Sequence, residues 1–149
     1  MEIQLGDIAH IIQLAIAPVF LLTGVGTILA VLTNRLARII DRSRVLEDRL
    51  HTELESEQLV CNEELQTLYP RAHLINRAIT LSTACGLFVC LVITALFTGD
   101  ALNLSLAKLI ASLFVLAMLS LIGSFVYLLR EIFIATRSMA IRRLSFGKP

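Results

Sequence analysis

Residues 8–34 read IAHIIQLAIAPVFLLTGVGTILAVLTN, a run of 27 residues without a single Asp, Glu, Lys or Arg. A hydrocarbon core of about 30 Å is crossed by roughly 20 helical residues, and in lipid a helix satisfies its own backbone. The run is therefore read as a membrane span. Two further charge-free stretches, 78–99 and 109–129, are 22 and 21 residues long and meet the same criterion. The segment before the first run carries Glu2 and Asp7 but no basic residue, so it lacks the basic n-region of a signal peptide and is read as a retained span.

The composition agrees with that reading. Of 149 residues, 56% are hydrophobic and only 17% charged, and the mean hydropathy is +0.80. So apolar a chain has too little polar surface to cover a soluble core, and disorder is excluded by the same numbers. The expected fold is all-α: a single integral membrane domain over residues 1–149 with three transmembrane helices. A net charge of +1 removes any global case for nucleic acid, which needs a basic imbalance.

The distribution of charge says more than its sum. Seven Arg (35, 38, 42, 44, 49, 71 and 77) separate spans one and two, five basic residues follow span three, and Lys108 alone lies in the second loop. By the positive-inside rule the N-terminus is expected outside and the C-terminus in the cytoplasm. The three cysteines, Cys61, Cys85 and Cys90, lack metal-ligand spacing and are read as free thiols.

From Thr27 to Tyr69 there is neither Gly nor Pro, so the helix of span one is expected to continue past the membrane. Leu36, Ile40, Ser43, Leu46, Leu50, Leu54, Cys61, Leu65 and Leu68 fall near one stripe of a helical period. An unbroken rod to Leu68 could not return by Ala78, so residues 35–77 are read as a cytoplasmic hairpin of two antiparallel helices. Thr52 with Glu55 resembles a capping box and Asn62 a second helix start, which puts the turn within 51–62. Pro70 is either a first-turn residue or a kink.

Span one is the polar one. It carries His10, Gln13, Pro18, Thr23, Gly24, Gly26, Thr27 and Ala30, and Gly26 with Ala30 forms a small-xxx-small pair of the kind that lets helices approach closely. Ser82 with Gly86, Ala107 with Ala111, and Ser120 with Ser124 repeat that spacing, so a homo-oligomer is expected. One functional reading is a channel-like, ion-conducting assembly lined by Thr23, Gly24, Gly26, Thr27 and Ala30, with Asn34, Arg35 and Arg38 at its cytoplasmic mouth. The alternative is a non-conducting scaffold or accessory subunit that binds a cytoplasmic protein through the hairpin, where eight acidic residues accompany the seven Arg.

Other features have commoner explanations. Asn34-Arg35 and Asn76-Arg77 at the span borders suit ordinary interfacial anchoring as well as a pore mouth or lipid site. Glu131 is the expected ion-pair partner of one of these arginines, with Arg77 and Glu131 the candidate pair. Asp7, His10 and Gln13 share a face, but no second His or carboxylate completes a metal site. Pro18 is more often a static bend than a hinge; His51 and His73 are read as solvated. The basic tail, residues 130–149, could bind anionic lipid, or span three could continue as a helix packed on the hairpin. No charge lies mid-span, which argues against a proton-relay pump, and no phosphate loop, His-Glu-x-x-His or catalytic triad context occurs. The chain is read as a non-enzyme without cofactor or metal.

Three segments, NRLARIIDRSR (34–44), LINRAI (74–79) and LREIFIATR (129–137), resemble the signature segments of a bacterial membrane family catalogued as a domain of unknown function. The resemblance covers essentially the whole chain. It implies a small three-span inner-membrane protein and assigns no activity or ligand.

Overall fold

The computed structural model describes residues 5–50, 55–102 and 106–146, and the described residues form three helices: α1 (Leu5–Leu50), α2 (Glu55–Ala101) and α3 (Ala107–Phe146). Each is long and apolar enough to cross a membrane, so the expected all-helical, multi-pass fold holds. At 46 residues, α1 extends about 69 Å. Span one and the first arm of the hairpin are not separate elements, because no Gly or Pro from Thr27 to Leu50 interrupts α1. The presumed tail is likewise helical, since α3 runs on to Phe146 without a break.

Two local expectations are decided by α2. Asn62 starts no helix; it lies inside α2, seven residues past Glu55. Pro70 is interior to α2 rather than in a first turn, and without an N–H it leaves the carbonyl of Gln66 without its usual helical donor. The reversal between α1 and α2 falls outside the described residues, as do the side chains of Asp7, His51 and Thr52 and of the basic tail from Arg137 onward. At the end of α1, Arg49 suits the helix dipole, and Gln58 Nε2 donates to the Leu50 carbonyl at 3.2 Å.

The chain forms two compact units, each with contributions from all three helices: Met1–Ala30 with Thr80–Gly123, and Val31–Ile79 with Ser124–Pro149. In the first unit the core is Val25, Cys85, Val89, Ala117 and Leu121, flanked by Leu21, Leu22, Ile28, Leu29, Phe88 and Ile93. In the second it is Leu32, Ile39 and Leu46 of α1 with Cys61, Leu65, Leu68, Ile75 and Ala78 of α2.

Both cores follow a seven-residue repeat. In the second unit, buried positions of α1 recur every seven residues, and those of α2 step by four, three, seven and three. That is the knobs-into-holes spacing of a coiled coil, whose seam repeats every 3.5 residues rather than every 3.6. The difference corrects one sequence assignment. Ile39 occupies the seam at 7% exposure, while Ile40, placed on the stripe by helical period, is 38% exposed.

Small residues set how closely the helices approach. Ser124 is buried, and its hydroxyl crosses from α3 to the Ala78 carbonyl of α2 at 2.9 Å. Ser124→Ala should therefore lower stability in detergent by about 1 kcal/mol, and the amide of the succeeding α2 turn still satisfies the Ala78 carbonyl. In the first unit, a Cβ on Gly86 would meet Leu22 Cδ1 and Val25 Cγ1 at 3.7 Å, ordinary contact distance. Gly86→Ala is thus expected to raise thermal stability by about 0.5–1 kcal/mol through reduced backbone entropy in the unfolded chain. A fall in the melting temperature would contradict this account of the packing.

Candidate functional site

Most of the second unit obeys the apolar seam; Glu131 does not. Seven residues beyond Ser124 in the register of α3, it brings a carboxylate to a core position, where it is 1% exposed. An unpaired charge there would cost several kcal/mol, so the neighbouring helices must supply counter-charge. They do. Arg35 of α1 donates through Nη1 to Glu131 Oε2 at 2.9 Å. Arg71 of α2 donates to the other oxygen, Oε1, through Nε at 3.1 Å and Nη2 at 2.9 Å.

One carboxylate thus ties all three helices together. The arginines reach it from positions adjoining the seam, Arg35 next to Leu36 and Arg71 next to Ala72, and their guanidinium groups turn inward to the carboxylate. They are not equivalent: the Arg35 side chain is 43% exposed and that of Arg71 21%. Two guanidinium groups on one carboxylate leave the group with an excess of one positive charge.

The sequence expectation paired Glu131 with Arg35 or Arg77. Arg77 is not its partner: its Nε donates instead to Nε2 of His73, one turn earlier on α2, at 3.1 Å, and both side chains are exposed. Arg71 was missed because it lies seven residues before the charge-free stretch. A heptad register would have flagged it, since Leu68 and Ile75 are seam positions and Arg71 lies between them. Farther along the hairpin, Arg42 Nε donates to Glu64 Oε1 at 2.9 Å and the Tyr69 hydroxyl to Glu47 Oε1 at 3.0 Å, both in exposed settings. Such pairs contribute about 0–1 kcal/mol.

The residues expected to form a pore and its mouth are all exposed in their own units, although Arg35 also bonds inward to Glu131. In the first unit, Thr23, Gly24, Gly26, Thr27 and Ala30 are exposed, and a Cβ on either glycine would meet nothing within 4 Å. The threonine hydroxyls return to their own helix, Thr23 to the Val19 carbonyl at 3.4 Å and Thr27 to that of Thr23 at 3.1 Å. In the second unit, Asn34, Arg35 and Arg38 are exposed. The first unit also has a pocket of about 440 Å³, lined by Leu14, Pro18, Leu96, Ile110 and Phe114 among others and bordered by Ala107 and Ala111. Its lining has no polar side chain. Among the described residues no three His, Cys, Asp or Glu side chains gather to hold a metal ion.

A family described as a protein of unknown function (DUF2721) matches residues 15–141, which include every residue of the Glu131 cluster. No curated protein and no solved structure matches the chain.

Proposed function

The chain belongs to the DUF2721 family, of unknown function, and on that premise we propose that it is a non-conducting membrane scaffold, a three-span anchor whose rigid helical hairpin docks a protein partner in the cytoplasm. The observation that carries this reading is the tie between Arg35, Arg71 and Glu131. It fixes three helices of the second unit at a single point, and a preorganised surface binds without the cost of ordering it first. Exposed charges of both signs, among them Asp41, Arg44, Glu47 and Glu63, stand on that frame. Mixed charge of this kind selects partners and steers encounter. The sorting of basic residues supports a cytoplasmic hairpin, N-terminus out and C-terminus in.

Conduction has less support. An axis lined by span one would need several copies gathered around the exposed face of Thr23, Gly24, Gly26, Thr27 and Ala30. The threonine hydroxyls there are already bonded to backbone. The same small face suits contact with a second copy, so the scaffold is proposed to be a homo-oligomer.

Photocrosslinkers placed at Arg44, Asp48 and Glu63, with Phe20 as a lipid-facing control, test the reading in intact membranes. The hairpin positions should capture a heterologous protein, and the charge reversals Asp41→Arg and Glu63→Arg should abolish the adduct. Purified protein in planar bilayers should pass no unitary current. A conductance altered by Thr27→Leu, or hairpin adducts made only of this chain, would overturn the scaffold reading.

A further inference from the structure

We propose that Asn34, Arg35 and Arg38 bind a phosphate group, and that the phosphate belongs to the headgroup of an anionic phospholipid. The argument starts from unused donors. A guanidinium carries five N–H groups, and Arg35 commits one of them to Glu131. Both oxygens of Glu131 already accept, Oε2 from Arg35 and Oε1 twice from Arg71, while Arg35 stays 43% exposed.

The neighbours of Arg35 are equally available. Arg38 and Asn34 are exposed and form no hydrogen bond or ion pair among the described residues. Asp41, one turn beyond Arg38, is also exposed and forms no ion pair with it among those residues. At 100° per residue, Asn34, Arg38 and Arg35 fall within an arc of about 100° on one face of α1. The two arginines and the asparagine therefore share one face within roughly one helical turn. With Arg71 and Glu131 included, the cluster carries an excess of two positive charges.

Position selects the source of the phosphate. Arg35 is the first charged residue after the 27-residue run 8–34, and α1 is unbroken between them. Side chains on a helix lean toward its N-terminus, which here means toward the apolar run. The guanidinium groups are thus carried to the level where lipid phosphates lie, and the planar fork of Arg matches a phosphate geometrically as well as electrostatically. A phosphate dissolved in the cytoplasm shares this chemistry but not the location. The site is distinct from the basic tail, and it requires no protein partner on the hairpin.

The test uses the full chain in detergent and native mass spectrometry with phosphatidylglycerol or phosphatidylcholine. The protein should retain phosphatidylglycerol preferentially. Arg35→Gln and Arg38→Gln should each reduce that retention about fivefold, the factor equivalent to about 1 kcal/mol per basic group at an anionic surface. Arg49→Gln, an exposed arginine 14 residues farther along α1, should leave it unchanged. If Arg35→Gln fails to fold, Arg38→Gln still decides, because Arg38 has no hydrogen-bond or ion-pair partner among the described residues. Equal retention by all variants, or an equal loss in Arg49→Gln, would overturn the site. Displacement of phosphatidylglycerol by inorganic phosphate at matched concentration would overturn the lipid assignment.

Discussion

Glu131→Ala is expected to destabilise the chain by about 3–5 kcal/mol, measured as unfolding in mild detergent titrated with a denaturing one. The size follows from what is left behind. Removing the carboxylate strands two guanidinium groups beside an apolar seam, each having lost its acceptor, and opens a cavity at a position that is 1% exposed. Glu131→Gln keeps the shape and one acceptor oxygen but not the charge, and should cost less. The arginines should rank by burial and bonding: Arg71, with two hydrogen bonds and 21% exposure, matters more than Arg35, with one bond and 43%. Replacing all three together, Arg35→Met, Arg71→Met and Glu131→Leu, should cost far less than Glu131→Ala alone, because no buried charge then lacks a partner. A Glu131→Ala cost below about 1 kcal/mol would mean that the carboxylate is not what joins the helices.

The same cluster shows how much of the protein is legible in its residues. Span number and helical class follow from charge-free runs, because a bilayer imposes a length and a backbone rule that few sequences meet by accident. The continuation of α1 follows from an absence of breakers, and the register of the hairpin was within one residue of correct. What failed was the choice between Ile39 and Ile40. It turns on 3.5 against 3.6 residues per turn, and the drift grows with helix length until the wrong neighbour faces the core. The Arg77 assignment failed for a related reason. Proximity to the membrane border suggested Arg77, whereas reaching a buried carboxylate depends on standing beside the seam, and Arg71 does. Small residues were the least legible of all, since a glycine that admits a neighbouring helix and one that faces outward look alike in a sequence.

That ambiguity yields a second prediction of large effect, from Ala117 and Gly26. Ala117 is fully buried, in a core with Val25, Cys85, Val89 and Leu121. Ala117→Leu must find room for three more carbons there. Close-packed interiors accommodate added volume only through strained rotamers or separated helices, at about 1–3 kcal/mol. The hydrophobic effect offers no compensation, because lipid solvates leucine as well as the core does. Gly26→Leu adds still more volume to a residue of the same small class, yet a Cβ at Gly26 meets nothing within 4 Å. The single chain should therefore keep or slightly raise its stability, helped by the better helix propensity of leucine. If the outward face of α1 joins copies, the same change should convert the assembly to monomers in cross-linking and in mass measurements, with unfolding of the chain itself unaffected. Loss of folding in Gly26→Leu, or an Ala117→Leu protein as stable as the parent, would reverse the assignment of inward and outward faces on which both expectations rest.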